Sequence, residues 1–224
     1  MRHLRIPVAP LAVAAVLLTK ATEAPAQACR GVPSQDGRFA LQAGVGLTSG
    51  AISYGAEFAA NLRGPWALSA GYALTDLRDA EPHGHTFSGS VAFEIPGAAV
   101  SVCPALEVGY SRASGLSTNI YPGPYTTVTS VSSVVNVSAG RTLSLTPALL
   151  ATPFAGLGMT LLHSEAQAKS GGFSSAKYKD DESAFAAVLG LLVGSQTVHV
   201  GVSVSLTTLK DSDPLYTLGA GFVF

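Results

Sequence analysis

A spacing of two runs through most of this chain and limits what it can become. From residue 38 to residue 224, apolar side chains recur at every second position, which sends them to one face of a β-sheet and their neighbours to the other. Phe39, Leu41, Ala43, Val45 and Leu47 alternate with Ala40, Gln42, Gly44, Gly46 and Thr48. The same alternation returns in Tyr54 to Leu62, Trp66 to Leu74, Phe87 to Ile95, Val100 to Tyr110, Val131 to Ala139, Leu149 to Leu161, Phe185 to Val193, Val198 to Leu206 and Tyr216 to Phe224. Several of these segments are about 11 residues long, the length a tilted strand needs to cross a bilayer.

The connections add an asymmetry. The even-numbered links are short: Arg63-Gly64-Pro65, Pro96-Gly97-Ala98, Thr142 to Pro147, and Gly194 to Thr197. The odd-numbered links, Asp76 to His85, Ser114 to Thr126, Ser164 to Glu182 and Lys210 to Pro214, are mostly longer and more polar, and only the first, around Gly50, is short. Short turns on one side and long loops on the other are the layout of a membrane-spanning barrel, and an even strand count returns both termini to one side. The expected fold is all-β: a closed, antiparallel, up-and-down transmembrane β-barrel of ten strands, with eight strands as the alternative.

Composition agrees with strands in lipid. The chain is 47% hydrophobic and only 12% charged, which excludes a disordered chain, yet it contains no run of 18 apolar residues to cross as a helix. Beyond residue 28 every Lys and Arg falls in a link or at a strand end, as expected where a cation on the lipid face at mid-membrane costs about 2–4 kcal/mol. The acids within strands, Glu57, Glu94 and Glu107, each take the parity opposite to the apolar stripe and should point inward.

The N-terminus follows other rules. Arg2, His3 and Arg5 precede an apolar stretch from Val8 to Leu18, and Ala26-Gln27-Ala28 offers small residues before a cut, the pattern of a cleaved secretory signal peptide. The chain thus divides into a signal peptide at 1–28, a periplasmic segment at 29–37 and a barrel at 38–224. The mature part carries 10 basic and 13 acidic residues, with no basic footprint for nucleic acid. In an oxidising compartment Cys29 and Cys103, both at the same barrel end, are candidates for a disulfide, and lipidation of Cys29 is the alternative.

Three segments strain the pattern. Pro104 and Pro153 lie within strands although a closed barrel has no free edge for a missing N–H, so each should mark a strand beginning or a bulge near the periplasmic rim. Ala184 to Leu192 is apolar on both faces, but Gly190 and Gly194 argue for strand over helix.

Motifs for chemistry are sparse. His163-Ser164-Glu165 holds hydrolase residue types, but neighbours on a strand face opposite sides, so an ordinary loop start is expected there and no catalytic residue is assigned. His83-Gly84-His85 beside Asp76, Asp79 and Glu81 reads as a solvated outer loop, and no metal or cofactor is expected.

The chain closes with Tyr216, Leu218, Ala220, Phe222 and Phe224 at alternate places. With the signal peptide and the alternating strands, residues 38–224 resemble the small outer-membrane β-barrel proteins of Gram-negative-type bacteria, the broad group of opacity-like and OmpX-like barrels. The resemblance implies an outer-membrane location, contact with outer-membrane lipid, and a terminal strand whose Tyr216, Leu218, Phe222 and Phe224 are read by the barrel-assembly machinery. It implies no particular activity, because members include adhesins, enzymes and structural barrels.

By parity the lumen carries Gln42, Glu57, Asn61, Glu94, Glu107, Asn136 and His199 among Gly, Ala and Ser, with Arg38 and Arg63 near the periplasmic end. A structural or surface-interaction role is expected, with an extracellular ligand held by the loops 114–126 and 164–182. A narrow, weakly cation-preferring pore is the first alternative, since no Lys or Arg offsets Glu57 and Glu107 at mid-height, and a lipid-modifying enzyme is the second.

Overall fold

The computed structural model describes residues 39–62, 65–77, 83–95, 100–114, 125–169, 177–209 and 212–224. The expected signal peptide, the 29–37 segment, Cys29, Arg38, Arg63 and the central parts of the expected binding loops lie outside these residues. The elements are β1 (Phe39–Leu47), β2 (Ala51–Asn61), β3 (Trp66–Leu77), β4 (His83–Phe93), β5 (Ser101–Ser114), β6 (Tyr125–Gly140), β7 (Leu143–Thr146), β8 (Leu149–Lys169), β9 (Lys177–Gly194), β10 (Val198–Thr207) and β11 (Leu215–Val223). Each long strand pairs antiparallel with its chain neighbours, β1 pairs with β11, and β6 pairs with β8 past the short β7. The result is a closed ten-stranded barrel with β7 as an accessory strand below the wall.

Register fixes the shape. Following partners around the wall from Ala40 through Ala59, Ser69, Ser90, Glu107, Val134, Thr160 and Ala184, and closing across β10 and β11, regains β1 about twelve residues above the start. That offset in ten strands sets a tilt of about 40° and a backbone radius of about 10 Å. The seam is made by the chain ends, where Phe39 and Phe224 exchange both backbone hydrogen bonds at 2.9 Å.

The outer face is apolar, as lipid requires. Phe39, Leu41, Tyr54, Phe58, Leu68, Leu106, Val135, Leu189, Val202 and Leu218 are all exposed, and Leu157 is 71% exposed. Aromatic rings gather at the two margins of this belt. Phe39 stacks on Phe58 and lies 6.0 Å from Phe224, while Trp66 meets Phe93 edge-on at 4.8 Å. At the other margin stand Tyr54, Tyr72, Tyr110 and Tyr216, with Tyr72 packed 5.0 Å from Phe87. Such girdles mark the two interfaces of an outer-membrane barrel. They lie in the sequence in plain sight as a Phe/Trp set and a Tyr set.

Both prolines act where they stand. The β4–β5 ladder runs to Ala92↔Ala105, lapses beside Pro104, and resumes as the isolated bridge Ile95↔Val102. Pro153 sits where β8 exchanges β6 for β7: Gly140↔Phe154 is the last β6 pair, and Leu143↔Ala151 opens the β7 ladder. In each case the missing N–H coincides with a break in pairing near the periplasmic end.

Five expectations about the connections need correction. The segment 164–182 is largely strand, because β8 continues to Lys169 and β9 begins at Lys177; likewise β5 reaches Ser114 and β6 starts at Tyr125, within the expected loop 114–126. His163-Ser164-Glu165 therefore lies inside β8 rather than at a loop start. His83 and His85 open β4 instead of lying in an outer loop. The expected turn from Thr142 to Pro147 contains β7. At the four outer places backbone pairing persists after the apolar alternation stops, so the sequence pattern ends before the strand does, whereas β7 is a short alternating strand set within an expected turn.

Candidate functional site: lumen and outer rim

The lumen follows from the same parity. Gln42, Glu57, Asn61, Glu94, Glu107, Asn136 and His199 all occupy inward positions, alternating with the exposed apolar residues of their strands. Glu94 and His199 are buried, whereas Glu57 and Asn61 are half-buried. Glu57, Glu94 and Glu107 each engage a partner, so a pore reading rests on the shape of the wall and not on bare carboxylates. Cys103 is buried at the lumen floor and disulfide-bonded, while its expected partner Cys29 lies outside the described residues.

Between the polar groups Gln42, Glu57, Asn61, Glu94 and Glu107, the wall from β1 to β5 carries small inward side chains. Hydroxyls meet across strands, Ser53 with Thr75 at 3.0 Å and Ser69 with Ser90 at 2.8 Å, which satisfies them without large side chains. One transverse row joins His199, Gly221, Gln42, Glu57, Gly71, Ser88, Gly109 and Ser132 in successive partnerships. Because the strands tilt, this row climbs the inner wall as a spiral of polar residues interspersed with glycines. A Cβ at Gly221 would strike the His199 ring, so the glycine leaves the space that the imidazole fills.

The wall from β8 to β10 is different. Phe154 points inward against Gly190, and Leu192 lies over Gly201. This explains why Ala184 to Leu192 is apolar on both faces: the outer side meets lipid, and the inner side packs beside Phe154. At the floor Thr142 and Thr152 share a buried 2.7 Å hydrogen bond. His199 is 3% exposed, and among the described residues neither ring nitrogen has a hydrogen-bond partner.

The outer rim gathers the remaining polar groups. His163 faces outward, and its Nδ1 lies 2.5 Å from Asp181 Oδ1. Ser164 faces the lumen, where its hydroxyl meets Ser130 at 3.0 Å, so it cannot share a proton with His163. Glu165 stands 3.9 Å from Lys179 one register step higher. Two shallow grooves of about 290 and 390 Å³ flank His163, one lined by Thr127, Thr129, Glu165 and Gln167, the other by Ser133, Leu161, Asp181 and Ser183. On β3 and β4, Tyr72 Oη meets His85 Nδ1 at 2.8 Å. Among the described residues no three His, Cys, Asp or Glu side chains converge on a metal position.

The closing residues Tyr216, Leu218, Phe222 and Phe224 all face outward and are exposed. Phe222 and Phe224 stack at 5.9 Å along the seam with β1. Seam, girdles, short turns at the end that holds both termini and a lipid-facing belt together decide the class. The fold is that of an outer-membrane β-barrel.

By sequence the chain matches no protein-family model and no curated protein. Among solved structures it is similar to the translocator domain of autotransporter NalP from Neisseria meningitidis, with 12% identity, 84% of this chain and 89% of that chain covered, and a TM-score of 0.50. The N-terminal β-barrel domain of Pseudomonas aeruginosa OprF matches at 13% identity, 85% and 100% coverage, and a TM-score of 0.42. Ail, the attachment invasion locus protein of Yersinia pestis, matches at 14% identity, 85% and 100% coverage, and a TM-score of 0.34. At 12% identity the likeness to the NalP translocator domain speaks for the fold alone.

Proposed function

We propose that this integral outer-membrane barrel is a surface-interaction protein whose binding platform is the projecting part of β6, β8 and β9. The observation that carries the reading is the length and chemistry of β8. Along its outer face Leu157, Met159 and Leu161 give way abruptly to His163, Glu165 and Gln167, while β8 runs for 21 residues and β9 for 18. A strand that has left lipid has no need to stay paired for about six more residues unless the projection is used. Its ladder holds the polar side chains on a rigid surface, and the grooves beside His163 offer shallow recesses for a partner. Replacing residues 164–182 with a tight turn should abolish adhesion of expressing cells to host or abiotic surfaces while leaving the heat-modifiable gel mobility of the barrel intact. Unchanged adhesion would remove this role.

A narrow pore is the second reading, favoured by the small side chains from β1 to β5. Ten strands enclose somewhat more space than side chains of this size fill. In planar bilayers the double substitution Phe154→Ala and Leu192→Ala should raise single-channel conductance above that of the parent. Silence from both proteins eliminates passage.

A further inference from the structure

At the end of the barrel opposite that platform, we infer that residues 29–38 form an internal floor: the segment crosses the lumen from β1 to β5, is latched by a Cys29–Cys103 disulfide, and leaves the lumen a well open only to the outside.

The pose of Cys103 selects the occupant. Ser101 and Ala105 share its inward face and are buried, Leu106 faces lipid, and Cys103 itself is 1% exposed. Cys103 is disulfide-bonded, and the sequence holds one other cysteine, Cys29. A sulfur that points into the lumen can be met only from inside. Nine residues separate Cys29 from Phe39, where β1 opens. Four strand steps separate β1 from β5, about 19 Å across a barrel of about 10 Å radius. Ten extended residue steps reach about 33 Å, so the segment spans the lumen with slack.

Burial at the base agrees with a filled floor. Ala40, Ala92, His199 and Val223 take inward positions near the periplasmic ends of β1, β4, β10 and β11, and all are buried. Higher on the inner wall Ser53, Glu57, Ser69 and Ser88 are only half-buried. Ala92 and His199 stand on diametrically opposed strands of the ten. A methyl group on one wall cannot meet a ring on the other across about 20 Å between backbones, so a central filling covers both. The chemistry of the segment suits that place. Val32 and Pro33 are apolar, and Arg30 and Arg38 carry the sign that complements Glu94, a carboxylate buried at the same end and engaged with a partner.

Diethyl pyrocarbonate labelling of the detergent-purified full chain, read peptide by peptide by mass spectrometry, tests the floor. In the wild type His199 should react slowly, and Cys29 and Cys103 should appear in one cross-linked peptide of the monomer. Deleting residues 29–37 together with Cys103→Ser should speed His199 labelling about tenfold, leave His163 on the outer rim unchanged and preserve heat-modifiable mobility. Trypsin supplies a check that needs no variant: the Arg30–Gly31 bond should resist cleavage in the folded wild type and be cut in the boiled protein. Labelling of His199 at the wild-type rate in the deleted, folded barrel overturns the inference. Prompt cleavage at Arg30 in the folded wild type also overturns it, as does a disulfide joining two copies of the chain. Neither readout involves adhesion or conductance, so failure of the floor and failure of the platform are told apart.

Discussion

The wall from β1 to β5 and the wall from β8 to β10 enclose one lumen yet meet it with different chemistry. The first offers Ser53, Ser69, Ser90 and Thr75, short groups that satisfy one another; the second offers Phe154 and Leu192, which need Gly190 and Gly201 as flat places to lie. Their outer faces diverge as well. The first wall ends close above its tyrosine girdle, whereas β8 and β9 continue into water. A cylinder of ten strands cannot be filled by small residues alone, and here the apolar filling comes from the β8–β10 side, whereas the longer inward groups of the other wall, Gln42, Glu57, Asn61, Glu94 and Glu107, are polar. Apolar packing is therefore concentrated in β8 to β10 and the projecting surface in β6, β8 and β9, while the opposite wall meets the lumen with polar groups and glycines.

The largest contrast lies within one strand. Leu157 and Gln167 share the outward face of β8, one in the lipid belt and one on the projection. Leu157→Arg should destabilise the folded barrel by about 2–4 kcal/mol, whereas Gln167→Arg should stay within about 0.5 kcal/mol, read from denaturant unfolding in lipid vesicles. Similar costs at both positions would place the projection inside the membrane.

Next in size is the contrast between the two inner walls. An added methyl at Gly190 would drive into the Phe154 ring, while one at Gly55 meets Ala73 at ordinary contact distance of 3.4 Å. Gly190→Ala should cost about 1–3 kcal/mol by overpacking, and Gly55→Ala well under that. Combining Gly190→Ala with Phe154→Ala should restore part of the loss, because the methyl then occupies the space the ring vacated. A cycle with no coupling would dissolve the claim that this wall is packed through these two residues.

What could be read from the sequence tracks one physical cause. Lipid outside and an enclosed interior impose strict alternation, so the strands from Phe39 to Leu47 or Val198 to Leu206 and the inward parity of Glu57 and Glu107 were legible. Where that cause lapses, so does the signal. From Ser164 to Lys169 no apolar stripe remains on the outward parity, which carries Glu165, Gln167 and Lys169 against Ser164, Ala166 and Ala168, and only the backbone ladder with β6 and β9 reveals a strand. Phe154 takes the parity opposite to Leu157, Met159 and Leu161 and is inward by alternation, but that its ring lies on Gly190 follows only from the β8–β9 register. The pairing of Tyr72 with His85 needs the β3–β4 register, which no period reports.

The smallest expected effect separates display from stability on the projecting flank. His163 and Asp181 lie in contact, but their side chains are 49% and 84% exposed, so water screens the pair and the entropy of holding both side chains offsets much of the attraction. Asp181→Asn should change unfolding free energy by less than about 1 kcal/mol. The grooves on either side of His163 depend on where its ring stands, and Asp181 holds that ring against the β9 edge. Adhesion by expressing cells should therefore fall more than stability does in Asp181→Asn, and fall further in His163→Ala. If adhesion declines only in step with barrel stability, the pair is an ordinary rim contact and the partner binds elsewhere on the projection.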